Sequence, residues 1–172
     1  MERKELCIIS DSDIPAGSGG INGEGYTYGQ LRHQPIITEI LKRITHPIAR
    51  QMAEDCNERN HKDGFTMYKV DGEYCFEGLR VGPKVKIPEK DELLALLGNQ
   101  PVNAASIRNI TYTLIRKELA RLYGTSVQEA ADIIGNQLDC APHEDISGYI
   151  FMVPNWAHKW FRHNGYVARM LK

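Results

Sequence analysis

The sequence has few of the features that mark a secreted, membrane-bound or zinc-stabilised protein. Its four cysteines are widely scattered and form no Cys-x-x-Cys pair, which disfavours structural zinc and predicts reduced thiols. No apolar run approaches the roughly 18 residues that a membrane span needs. The charged N-terminus lacks the apolar stretch of a secretory signal. With 172 residues and a net charge of −1, the chain has the size of a single domain and no broad surface for coating nucleic acid.

The first part of the chain is poor in residues that could form a core. Residues 11–30 are rich in Gly, Ser and Asp, so burial cannot offset the entropy that ordering them would cost. A glycine-rich stretch can also cradle phosphate, but no Gly-Lys-Ser/Thr follows, and the preceding strand runs only from Leu6 to Ser10. The sequence therefore predicts a flexible N-terminal arm over residues 1–34.

The middle of the chain, residues 35–136, is predicted to be helical with one β-hairpin. Apolar residues recur at helical spacing over 35–60, and Pro47 interrupts them, which predicts two helices or one kinked helix. Asp71-Gly72 suits a tight turn and predicts a hairpin over 65–79. Three more helices are predicted, over 89–97, 103–123 and 126–135.

Two of these helices carry clear terminal signals. Asn103 is a good N-cap for the helix 103–123, and Gly124 is a good C-terminal stop. Thr125 and Gln128 have the spacing of a capping box for the next helix.

The C-terminal region, residues 137–172, holds half of the six histidines and an excess of positive charge. An extended segment leads to His143, a turn follows over 145–148, and the aromatic and β-branched residues Tyr149–Val153 predict a strand. A helix should begin at Pro154 or Asn155 and carry His158. The whole chain is therefore expected to be α+β, with a C-terminal ββα unit. After Asp145 there is no acidic residue but four cations, Lys159, Arg162, Arg169 and Lys172.

This layout suits metal-assisted hydrolysis of a phosphodiester. A neutral imidazole can take a proton from water, an effect worth typically about 10²–10⁴-fold in rate. A divalent cation held by helix side chains can neutralise charge at the scissile phosphate. Lys159 and Arg162 are candidate phosphate contacts, with solvated surface charges as the alternative.

The C-terminal region also resembles the HNH/endonuclease-VII-like nucleases of the WHH type, which occur as toxin domains of bacterial polymorphic toxins. Their pattern runs Trp-His-His, a short acidic turn, Met/Leu-Val-Pro, a histidine and a final His-x-Gly. The matching residues here are His143, Glu144-Asp145, Met152-Val153-Pro154, His158 and His163-Asn164-Gly165. The resemblance implies a ββα-metal (His-Me finger) unit, with His143 as general base and His158 and His163 as ligands of one divalent ion, Mg, Mn, Ni or Zn.

One position departs from this pattern. Where the family has its first histidine, which helps to bind the metal, this chain has Pro142. The site could keep two histidine ligands and water, take Asp139 or Glu144 as a substitute ligand, or bind no metal. A separate alternative to a nuclease is a hydrolase of another kind, with Cys140 or Cys56 as the nucleophile and a histidine as the base.

The expected function is a metal-dependent endonuclease that acts on nucleic acid, on DNA rather than RNA, and serves as an antibacterial toxin or effector. An immunity protein would then be a partner. The alternative is a catalytically degenerate HNH-fold module that binds a protein or a nucleic acid. Because no signal peptide is recognised, the protein is expected in the cytoplasm. Any delivery into a target cell would use a specialised secretion route.

Overall fold

The structure is a computed structural model, and it describes residues 4–7, 44–61, 67–70, 73–155, 158 and 166–171. The strands are β1 (Lys4–Cys7), β2 (Met67–Val70), β3 (Glu73–Cys75), β4 (Val81–Lys86), β5 (Cys140–Glu144) and β6 (Tyr149–Pro154). The helices are α1 (Pro47–His61), α2 (Lys90–Leu97), α3 (Ala104–Tyr123), α4 (Val127–Asp132) and α5 (Tyr166–Met170). A 3₁₀ turn covers Glu77–Leu79, and a π-helical turn covers Ile133–Gln137. The prediction of an α+β fold is confirmed.

The strands form two antiparallel sheets of three strands each, with orders β1-β2-β3 and β4-β6-β5. The predicted hairpin over 65–79 is confirmed as β2 and β3, which pair Tyr68 with Cys75. Part of the segment 1–34 also enters this sheet, because β1 pairs with β2 along its whole length. The other residues of that segment lie outside the described part of the chain.

β5 and β6 form the second predicted hairpin. His143 lies opposite Phe151, and the hairpin turn covers the residues between Glu144 and Tyr149. Asn155 and His158 are helical residues directly after β6. The two strands and the turn therefore follow the prediction, with β5 beginning at Cys140, and the ββα-metal unit stays a prediction.

Helix ends follow from capping groups. The Asn103 side chain accepts a hydrogen bond from the Ser106 N–H at 2.9 Å, and Gly124 ends α3 in the left-handed region at φ 66°. The N-cap of α4 is Ser126, one residue later than the predicted Thr125, because the Ser126 hydroxyl accepts the Glu129 N–H at 3.0 Å. α1 begins at Pro47, because the first position of a helix does not use the backbone N–H that proline lacks. Of the two predicted alternatives, a kinked helix across Pro47 is excluded, and the residues before 44 lie outside the described part of the chain.

The core lies between the helices and the sheet β4-β6-β5, since α1 and α3 both pack on β4. Its fully buried side chains include Met52 from α1, Ile115 from α3 and Phe151 from β6. Among the described residues, no helix combines the length and the apolar character needed to cross a bilayer.

Candidate active site

His143 lies in β5 and is 3% exposed. Three rings surround its imidazole. The centroid of Phe76 is 4.5 Å away, that of His158 is 5.3 Å away and that of Phe151 is 5.8 Å away. The edge-on contact with His158 joins the hairpin to the helical residues after β6. Two of the three predicted histidines therefore lie together.

The partner of His143 is the carboxylate of Asp145, two residues further along the chain. His143 Nε2 lies 2.9 Å from Asp145 Oδ1. An ionised carboxylate only accepts hydrogen bonds, so Nε2 carries the proton and the imidazole is held in one tautomer. Asp145 is completely buried, so solvent does not compete for this bond.

Three further donors hold the Asp145 carboxylate in place. Oδ1 accepts the Phe76 backbone N–H at 2.8 Å, and Oδ2 accepts the Ser147 N–H at 3.0 Å and the Cys75 thiol at 3.2 Å. The bond from Ser147 is local and stabilises the hairpin turn. The bonds from Cys75 and Phe76 come from the end of β3, so Asp145 connects the two sheets.

The surroundings of Asp145 favour its charged form. Burial alone would raise its pKa, but the hydrogen bond and charge of His143, with hydrogen bonds from the Phe76 N–H and from Ser147, lower the pKa from 3.8 to about 2. The carboxylate is therefore ionised at neutral pH. It can stabilise an imidazolium at His143 without taking the proton itself.

The turn that carries Asp145 is also fixed through the backbone. The Asp145 N–H donates to the Tyr149 carbonyl at 2.8 Å, and the Gly148 N–H donates to the Asp145 carbonyl at 2.9 Å. Gly148 has φ +84°, a conformation that a side chain would disfavour. The backbone and side-chain hydrogen bonds together fix the position of Asp145 relative to His143.

The other predicted acidic residues bond elsewhere. Successive residues of a strand point to opposite faces, and Glu144 accordingly faces α3, where Thr111 Oγ1 lies 2.6 Å from its Oε1. Asp139 precedes β5 and accepts a 2.8 Å bond from the Asn155 side chain, while its carbonyl accepts the Asn155 N–H. Asp139 thus fixes the chain where it leaves β6. Neither carboxylate is the one that bonds His143.

Several predicted site residues lie outside the described part of the chain, namely Lys159, Arg162 and His163. Of the two predicted metal ligands, the structure places only His158. In the described part, no three His, Cys, Asp or Glu residues form a group that could hold a metal ion. The donors of Asp145 already occupy both of its oxygens. The described residues alone therefore do not test the metal site, because His163 lies outside them.

Cys140 does not fit the role of a nucleophile. It is buried, and its thiol lies 3.3 Å from the Leu138 carbonyl. Burial raises the pKa of the Cys140 thiol well above its ordinary value, and Cys56 and Asp139 add to the effect. A thiol held in its protonated form is a poor nucleophile.

Sequence reasoning named Asp145 only as part of an acidic turn and missed its bond to His143. The available signal was its spacing, because residues two apart at a strand end lie on the same face. Phe76 and Cys75 gave no signal, since the pairing joins residues 69 and 70 positions apart in the chain.

No protein-family model, no curated protein and no solved structure matches this chain. The fold and the site define an α+β protein with a buried His–Asp pair beside a second histidine.

Proposed function

We propose that this protein is a metal-dependent endonuclease of the HNH type, with DNA as its substrate. The single observation that supports the proposal best is the His143–Asp145 pair, with His158 5.3 Å from His143 between ring centroids. A base on a hairpin and a second histidine on the following helical residues is the arrangement that the sequence pattern predicted for phosphodiester hydrolysis.

In the proposed reaction, His143 is the general base. It takes a proton from a water molecule, whose oxygen forms a bond to phosphorus while the bond from phosphorus to the leaving oxygen breaks. The leaving oxygen takes a proton from solvent, so the proton count balances. Asp145 stabilises the positive charge that His143 acquires, because its low pKa keeps it anionic.

His158 would bind the proposed divalent ion, and His163 would be the second ligand, as the family resemblance implies. Such an ion would supply charge neutralisation at the scissile phosphate. Lys159 and Arg162 would contact phosphates nearby. An antibacterial toxin or effector controlled by an immunity protein is the biological role that we propose for this activity.

Plasmid cleavage tests the activity. Supercoiled DNA is incubated with the protein and Mg²⁺, Mn²⁺, Ni²⁺ or Zn²⁺ in turn, and with a chelator. We expect nicked and linear products with at least one metal and none with the chelator. His158→Ala should lower the rate by about 100-fold or more.

His61→Ala is the matched control, because it removes a histidine from the end of α1. The control should cleave at the wild-type rate. The proposal is refuted if folded protein at micromolar concentration cleaves DNA with no metal, or if His158→Ala and His61→Ala cleave equally well.

A second candidate is a non-catalytic binding module with the same fold. The burial of the His143–Asp145 pair favours this candidate. A general base must contact its water molecule, whereas only 3% of His143 is exposed. Pro142 in place of the first family histidine also favours it. Tight binding of nucleic acid without cleavage under any metal would select this candidate.

A further inference from the structure

Helix α3 carries an excess of positive charge on a chain that is slightly negative. It holds four cations and the single anion Glu118, a net charge of +3, against −1 for the whole chain. The helix packs on the sheet β4-β6-β5 and contacts β5, the strand that carries His143. The cations are Arg108, Arg116, Lys117 and Arg121.

These cations differ in how far acidic groups neutralise them. Arg121 is bound by both carboxylate oxygens of Glu118, at 2.6 and 2.9 Å. Arg108 has only a loose partner, because its Nε lies 3.7 Å from Glu144 Oε2. For Arg116 the described residues provide no acidic partner, and its Nε is buried without a hydrogen bond.

Arg108, Tyr112 and Arg116 form a line, here called the α3 stripe. Residues four apart are neighbours on a helix surface, so the stripe runs along one flank and spans about 12 Å between its ends. About half of the Arg108 side chain is exposed. Burial and the charge of Glu144 raise the pKa of Tyr112, which keeps its hydroxyl available as a donor.

Glu144 neutralises the stripe only in part, because its ion pair with Arg108 is long, at 3.7 Å. It is buried, and its Oε1 is engaged by Thr111 at 2.6 Å. The stripe therefore presents two guanidinium groups with a phenol between them.

We propose that the α3 stripe binds successive backbone phosphates of a nucleic acid. Guanidinium groups bind phosphate oxygens in a paired geometry that lysine lacks, and tyrosine hydroxyls are common phosphate donors. β5 is the outer strand of its sheet, and its last two residues, His143 and Glu144, point to opposite faces. A nucleic-acid backbone that crosses this edge of the sheet contacts the α3 stripe on one face of the sheet and the candidate active site on the other face. The inference rests on the proposed function, since it assigns the surface that holds the substrate.

Salt-dependent binding tests the stripe. Fluorescence anisotropy measures the affinity for a DNA duplex of about 20 base pairs, with a chelator present so that the duplex stays intact. Each lost phosphate contact flattens the plot of log affinity against log salt by about 0.9, so Arg108→Gln with Arg116→Gln should flatten it by about 1.8. Tyr112→Phe should weaken binding and leave the slope unchanged, because it removes a hydrogen bond but no charge.

Arg121→Gln is the matched control, because it removes one charge from the same helix at a position already bound to Glu118. Its slope should equal that of the wild type. The inference is overturned if the double variant keeps the wild-type slope. It is also overturned if Arg121→Gln flattens the slope by as much as each charge removed in the double variant. Failure of the proposed function looks different, because the wild type would then bind through the stripe and cleave nothing under any metal.

Discussion

At the scale of single residues, Asp145 connects most of the candidate site. Its carboxylate accepts bonds from His143, from the turn residue Ser147, and from Cys75 and Phe76 at the end of β3. A hydrogen bond to a charged group contributes about 1.5–3 kcal/mol, and removing one partner of a buried set costs more than an average bond. The side chain that positions His143 is therefore also a stabilising group of the fold.

The low pKa of Asp145 predicts how stability depends on acid. Because the pKa falls from 3.8 to about 2 on folding, the carboxylate stabilises the folded state above pH 4, and this contribution is lost as the pH falls from about 4 to 2. Its size is about 2 kcal/mol. Asp145→Asn should therefore show a shallower loss of stability over this window than the wild type, measured by urea unfolding at each pH.

An exposed carboxylate provides the control for that measurement. Asp91→Asn, in the first turn of α2, should reproduce the wild-type pH profile. Burial raises the pKa of Glu144, which acts in the opposite sense but equally in all three proteins. Identical slopes for Asp145→Asn and the wild type between pH 4 and 2 would contradict the assigned role of Asp145.

At the scale of elements, the irregular pairing of β4 with β6 has a local cause. The register shifts between Val81 and Lys84, and Gly82 within this shift has φ +81°. A Cβ on Gly82 would overlap the end of the fully buried Met52 side chain of α1. The positive φ favours glycine here, and a Cβ would in addition require the terminal methyl of Met52 to move.

Substitution of two glycines separates these requirements. Gly124 also has a positive φ, at +66°, but a Cβ there meets no atom within 4 Å. Gly124→Ala should cost about 1–2 kcal/mol from the backbone alone, and Gly82→Ala about 1–3 kcal/mol more from crowding. Urea unfolding measures both, and equal losses would rule out the contact with Met52.

Elements whose causes are local could be predicted from the sequence. Asn103 and Gly124 marked both ends of α3, and the aromatic and β-branched run marked β6, because caps and strand propensity act within a few residues. The N-cap of α4 was misplaced by one residue, since Ser126 and Thr125 are equally good caps in sequence. Pro47 was predicted to separate two helices or to kink one, because the start of a helix and a kink share the same signal, and a helix does begin there.

At the scale of the whole molecule, the contacts that build the site are non-local and could not be predicted. The sequence placed His143 and His158 in one unit, and the structure brings their rings together. No feature of the sequence indicated that the end of β3 would donate to Asp145, or that Thr111 would bond to Glu144. Such contacts depend on how two sheets and α3 pack, and residue spacing carries no information about that packing.

The account depends most on the claim that His143, held by Asp145, is the base of a hydrolytic centre. Single-turnover cleavage of a labelled DNA duplex by wild-type and Asp145→Asn protein tests it most directly, with circular dichroism confirming that both are folded. We expect the Asn variant to bind the duplex with unchanged affinity and to cleave it about 10²–10⁴-fold more slowly. Equal cleavage rates for the two proteins, or no cleavage by the wild type under any metal, would contradict the account.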